Sequence, residues 1–239
     1  MKKNLVFYCF FSDIKNIDEP TLLSLNLLRE YKNVFSGQKI IYAAFDDPQS
    51  INFNDLKEVF SFFTDPQIKI VPNNSENRES EYFIESLKNI IDVNSLTFYA
   101  HNKGSTHKLD SSLKNWILAM FFFNLEMKVD ISNDIIFSGI LRKIVKINDL
   151  DCDWHYSGAF FWFNTKNLFA IKNWDVMKKG RMSLESYPGN KVNLERSQSK
   201  FVSEFYNFHM NDELWEKTIC PGLIGEDLYK KYITIWKKL

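Results

Sequence analysis

The sequence predicts an α/β domain: a mostly parallel sheet with helices on both faces, then a less regular half ending in C-terminal helices. Three observations carry this. Apolar runs of strand length alternate with segments of helical spacing over the first hundred residues. The fourth run, residues 96–105, leaves its apolar stretch through His101, Lys103 and Gly104. The 239 residues, 45% of them hydrophobic and 16% aromatic, can fill one sizeable core.

The first strand is residues 5–11, a continuous apolar run. Met1-Lys2-Lys3 before it imitates a secretory leader, but the run is short and lacks a small-residue cleavage site, so it reads as a buried strand. Residues 19–35 repeat Leu22, Leu23, Leu27, Leu28 and Tyr31 at helical spacing, and Gly37 stops the helix. Residues 39–45 are the second strand, ending in Asp46-Asp47-Pro48. A short helix at 56–63, a third strand at 68–71, a helix at 79–91 and a fourth strand at 96–100 follow. Beyond Gly104 a long helix spans about 110–128. Its greasiest part, 116–125, is too short to cross a bilayer. Residues 135–145 read as helix or irregular chain, 159–163 as a strand and 165–174 as a short helix. Residues 176–200 are polar and rich in turn formers, which predicts a mobile loop. Residues 200–216 and 225–239 read as helices.

Lys plus Arg and Asp plus Glu number 30 each, so the formal net charge is zero. That argues against a general nucleic-acid binder. Three scattered cysteines make neither a disulfide framework nor a zinc site, and a reducing cytoplasm fits them. There is no GxGxxG and no GxxxxGK[ST], so no backbone cradle for phosphates. A nucleotide would have to be held by side chains at strand ends.

His101 and Lys103 alternate at such an end, so both side chains leave on one face. Open α/β sheets bind ligands at this edge, and a cation pair there suits phosphate. Asp46 and Asp47, at the end of the second strand, could accept from a base N–H or a ribose hydroxyl, or form a turn before Pro48. Residues 154–162 combine Trp154, His155, Tyr156, Ser157, Gly158 and Trp162. They read as a core strand or as a strand lining a sugar site, with Gly158 a point of close approach. Residues 185–189, Glu185-Ser186-Tyr187-Pro188-Gly189, carry an acid beside a turn, flanked by Arg181 and Lys191, which could hold phosphate when the loop closes. Asp151 and Asp153 form one of two literal D-x-D pairs in residues 149–153, and a bare match of this kind is a weak metal signal.

Three motifs, Y-x-H-x-K-G at 99–104, W-x-Y-S-G-x-F-x-W at 154–162 and E-x-Y-P-G at 185–189, occur in that order. The chain thereby resembles glycosyltransferases of the GT-A class, in particular small enzymes of surface-glycan gene clusters and large viruses. The resemblance implies one GT-A-like, Rossmann-like domain. Residues 1–104 would be its nucleotide-sugar-binding half, and residues 105–239 its acceptor half with the C-terminal helices. It implies transfer of a sugar from a nucleotide-sugar donor to a hydroxyl of a glycan or lipid-linked acceptor, as in surface polysaccharide synthesis. The rival is a non-catalytic sugar- or nucleotide-binding module on a degenerate fold of this kind.

Most enzymes of that class carry D-x-D at the fourth strand tip to hold manganese or magnesium. Here the tip reads His101-Asn102-Lys103. A lysine cannot bind a metal but pairs directly with phosphate, so it would replace some or all of the metal. Glu185 is the acid inside a family motif in the acceptor half and is the expected general base. The last fifteen residues put Leu228, Tyr232, Ile235, Trp236 and Leu239 on one helical face, suited to packing or to peripheral contact with the inner face of a membrane.

Overall fold

The computed structural model describes residues 1–105, 107–126, 134–144, 152–180, 182–203 and 225–238. Strands β1 (Lys2–Phe10), β2 (Lys39–Phe45), β3 (Gln67–Pro72) and β4 (Ser95–His101) alternate with helices α1 (Glu19–Glu30), α2 (Phe53–Val59) and α3 (Ser80–Lys88). After them come α4 (Ser111–Glu126), β5 (Phe137–Lys143), β6 (His155–Tyr156), β7 (Phe161–Asn164), α5 (Thr165–Phe169), α6 (Ser183–Lys191), β8 (Ser197–Ser203) and α7 (Glu226–Lys238). The first four strands are parallel, with β1 between β2 and β4 and β3 outside β2. β7 runs antiparallel to both β4 and β5, and β8 joins β5 in parallel. The fold is therefore the α/β class expected, a mostly parallel eight-stranded sheet.

Local chemistry explains the regular half. β1 is apolar on both faces because it is buried on both, from Asn4 to Cys9. Asp18 caps α1 by accepting from the Thr21 N–H at 2.8 Å, and Pro20 sits in the first turn, where no N–H is needed. One sheet face packs on α1, α2, α4 and α7, and the other on α3, α5 and α6. α4 is buried almost all round because it lies between the sheet and α7. No helix among the described residues is long and apolar enough to cross a membrane.

Three expectations are corrected. Residues 135–145 hold strand β5, not a helix, because both its edges are paired, to β6 and β7 on one side and β8 on the other. Residues 176–200 are not a mobile loop, since they hold α6 and the start of β8. Tyr187, Pro188 and Gly189 lie inside α6 and form no turn. The helix expected at 200–216 lies mostly outside the described residues, and 197–203 is strand.

Candidate active site at the strand-four edge

Because β7 reverses between β4 and β5, the latter two run the same way and end at one edge. His101 and Lys103 leave that edge from β4, and Lys143 leaves it from β5. Between them β6 and β7 act as one interrupted strand. Residues 157–160 separate the Tyr156–Arg142 pair from the Phe161–Gly139 pair. Four residues thus face two of β5, a bulge. Gly158 and Ala159 hold φ of +83° and +55° there, a conformation glycine adopts without cost.

The bulge aims the Gly158 peptide at two side chains. Its carbonyl accepts from His101 Nε2 at 2.8 Å. Burial holds the His101 pKa down, outweighing the pull of Glu79, which favours the neutral ring; of its two carbonyl contacts, the one from Nε2 to Gly158 is shorter than the one from Nδ1 to Asn102, at 3.3 Å. The Gly158 N–H lies against the Glu185 carboxylate and favours its charged form, as Lys103 and Lys143 also do. Burial outweighs all of these, with Glu79 adding to it, and raises the Glu185 pKa.

Lys103 lies over the Trp116 ring, 4.2 Å from its centroid. Asn102, just before it, pins the β4 tip. Its Oδ1 accepts from the Phe10 N–H at 2.9 Å, and its Nδ2 donates to the Phe10 carbonyl and the Thr21 hydroxyl, each at 2.7 Å. The cation is thus carried on a rigid tip with an aromatic floor. Nearby, Tyr8 and Tyr99 bury hydroxyls without a partner, and both feel the Glu79 charge.

Several site assignments move. His101 does not offer its ring to phosphate, since it is buried and holds Gly158. Trp154, Tyr156, Trp162 and Tyr187 do not line a sugar site. All are at most 3% exposed, and their polar atoms donate to the carbonyls of Val192, Gln198, Asn124 and Trp174, respectively. His155 is buried beside the bulge and Ser157 within it. Gly104, at φ +76°, turns the chain out of the edge against Leu113. Lys191 spends its ammonium on the carbonyls of Asn173 and Val176, at 2.8 and 2.6 Å, and so braces a turn. Asp46 accepts from Asn73 Nδ2 at 2.8 Å and stays exposed with Asp47 at the end of β2. Asp153 is exposed, while Asp151 and Arg181 lie outside the described residues.

A divalent cation does not fit the β4 tip. His101 and Asn102 are committed to backbone partners, and Lys103 has no lone pair to give. Among the described residues no group of three or more His, Cys, Asp or Glu could hold a metal ion. Sequence reasoning missed Lys143, which it placed in a segment of undecided structure. The signal was present in the alternation of Phe137, Gly139, Leu141 and Lys143 along one strand face.

No protein-family model matches the chain, and no curated protein matches it. Among solved structures, 4-diphosphocytidyl-2C-methyl-D-erythritol synthase from Anaerococcus prevotii DSM 20548 is similar with a TM-score of 0.44 at 12% identity, over 90% of this chain and 94% of that one. HddC from Yersinia pseudotuberculosis gives 0.36 at 11% identity, over 90% and 98%. At such scores the activities of those proteins remain theirs alone.

Proposed function

We propose that the chain is a glycosyltransferase of GT-A type that moves a sugar from a nucleotide-sugar donor to a hydroxyl of a glycan or lipid-linked acceptor. One observation carries the reading: a carboxylate with raised pKa, Glu185, shares the C-terminal edge of the sheet with Lys103, across the Gly158 bulge. A base beside a cation suits displacement at a sugar carbon.

In this mechanism the donor diphosphate lies against Lys103, with Trp116 beneath the cation. Asp46 and Asp47 take the nucleoside side of the edge. Glu185 accepts the proton of the acceptor hydroxyl while that oxygen bonds to the anomeric carbon. The bond from that carbon to the diphosphate breaks, and the charge left on the diphosphate is met by Lys103. A raised carboxyl pKa makes Glu185 a stronger base near neutral pH.

The test is release of nucleoside diphosphate from a panel of nucleotide sugars, with Glu185→Gln as the control. General-base catalysis contributes about 10²–10⁴-fold, so the variant should lose that much in kcat while donor affinity changes little. Near-normal transfer by the variant would remove Glu185 from the role.

A further inference from the structure

Between α3 and strands β1, β2 and β4 lies a cavity of about 10 Å³, room for one water-sized group. Its walls include Tyr8, Tyr42, Tyr82, Tyr99, Ser86 and Glu79. The Tyr82 ring stacks on those of Tyr8 and Tyr42, with centroids 6.5 and 5.6 Å away. Three of the wall hydroxyls are engaged elsewhere. Tyr42 donates to Glu85 Oε1 at 3.0 Å, Tyr82 to the Pro72 carbonyl at 2.8 Å and Ser86 to the Phe83 carbonyl at 2.6 Å. The hydroxyls of Tyr8 and Tyr99 are not. These residues are 5% and 1% exposed, and neither hydroxyl meets a protein partner. Phenylalanine would fill either place without burying an unpaired hydroxyl. Glu79 stands at the N-cap of α3, yet its side chain does not cap the helix. Burial raises the pKa of both phenols and the Glu79 charge adds to it, so both keep a proton to donate. Two donors and one acceptor therefore border one small space. A hydroxyl group has two lone pairs to fill and one proton to give, which is the matching set.

The cavity lies close to the site edge. Tyr8 pairs with His101 across the β1–β4 ladder, and Tyr99 precedes His101 by two residues on the same strand face. Glu79 and Tyr82 are half-buried and mark its mouth, while Tyr8, Tyr42, Ser86 and Tyr99 are buried behind them. We propose that this cavity is a hydroxyl subsite, and that it takes the primary hydroxyl of the sugar being transferred. The inference rests on the function proposed above and names a feature of its donor, a hydroxymethyl arm. The donor suits the place better than the acceptor, because Lys103, which meets the diphosphate, follows Tyr99 on the same strand tip. A ring hydroxyl is flanked by ring carbons and cannot enter a space for one group. An exocyclic hydroxymethyl carries its oxygen a bond further out. That oxygen accepts from Tyr8 and Tyr99, and its proton goes to Glu79. A methyl group in the same place would leave all three unpaired, so the subsite selects against it.

A crystal structure of the free protein tests the subsite without a substrate or a variant. One water should sit within hydrogen-bond distance of both phenols and Glu79. A dry cavity, or phenols turned to protein partners, would overturn the proposal. Nucleotide sugars then test the occupant. kcat/KM is measured for UDP-glucose, GDP-mannose and dTDP-glucose, each against the analogue with methyl in place of the sugar hydroxymethyl. The donor that turns over should be favoured over its analogue about tenfold or more, as for loss of a hydrogen bond to a charged group. Tyr99→Phe and Glu79→Gln should each bring that ratio toward one. A role in folding alone would slow both substrates alike and leave the ratio standing, which contradicts the subsite. Transfer that does not discriminate between a donor and its analogue would remove the subsite and leave the transferase reading. No release from any donor, with the water in place, would remove the transferase reading and with it the sugar as occupant.

Discussion

Glu185 is held where its charge is disfavoured, and this has two measurable effects. Its carboxyl binds a proton more tightly folded than unfolded, so stability falls as pH rises through that interval. Glu185→Gln should therefore melt higher than wild type at neutral pH, by about 2–4 °C for each kcal/mol relieved, and the gap should close below the ordinary carboxylate range near about 4.3. Calorimetric melting at several pH values reads this, and a variant less stable than wild type at pH 7 would contradict the assigned environment. If Glu185 is the general base proposed above, the acid limb of kcat/KM should lie above that ordinary range. Lys103 acts by charge at a fixed place. Lys103→Met should weaken nucleoside diphosphate binding by about 1.5–3 kcal/mol, checked by calorimetry, and unchanged affinity would remove it from the site.

At the scale of elements, the site depends on how closely α6 lies on β6. A Cβ on Gly189 would come 1.9 Å from the Trp154 carbonyl oxygen, so helix backbone meets strand backbone there. Gly189→Ala should cost about 1–3 kcal/mol by overpacking, and should lower kcat more than donor binding by displacing Glu185. Thermal unfolding and steady-state kinetics together check it; a variant as stable as wild type would mean the contact is slack. This packing also explains what was hard to read in the sequence. β1, β2 and β4 were legible because both their faces are buried, which leaves short apolar runs between polar turns. α6 was not, because Pro188 and Gly189 are the residues of a turn. Here Pro188 is accommodated late in the helix, and Gly189 is needed for contact with a distant strand. β5 was illegible for a related reason. Its partners β7 and β8 are 18 or more residues away in sequence, and its inward face ends in a lysine. The site was half legible. Lys103, Gly158 and Glu185 stand inside motifs, whereas the restraint of Gly158 by His101 and the burial of Lys143 arise only when strands meet.

For the whole molecule, the sheet sets the division of labour. One face, packed on α1, α2, α4 and α7, is the larger apolar store. α7 belongs to it. Tyr232 and Ile235 are buried, and the Tyr232 ring meets Phe122 edge-on at 5.4 Å. Lys231 and Lys238 pair with Glu126 and Glu30 at 2.6 and 2.7 Å. The apolar face that a membrane would need is the one turned inward, so the chain should stay in the supernatant when sedimented with anionic vesicles. Cosedimentation that added salt reverses would show a basic surface at work instead. The opposite sheet face, with α3, α5 and α6, carries the acid of the site, and the parallel strand ends carry its cations. Their meeting at one edge is the central claim, and metal-free turnover tests it most directly. Nucleotide sugars are incubated with the protein and a glycan acceptor in EDTA, and nucleoside diphosphate release is followed for wild type and Glu185→Gln. The account predicts release by wild type and a fall of about 10²–10⁴-fold in the variant. Binding of donor with no release beyond the buffer rate, or equal release by both proteins, would contradict it.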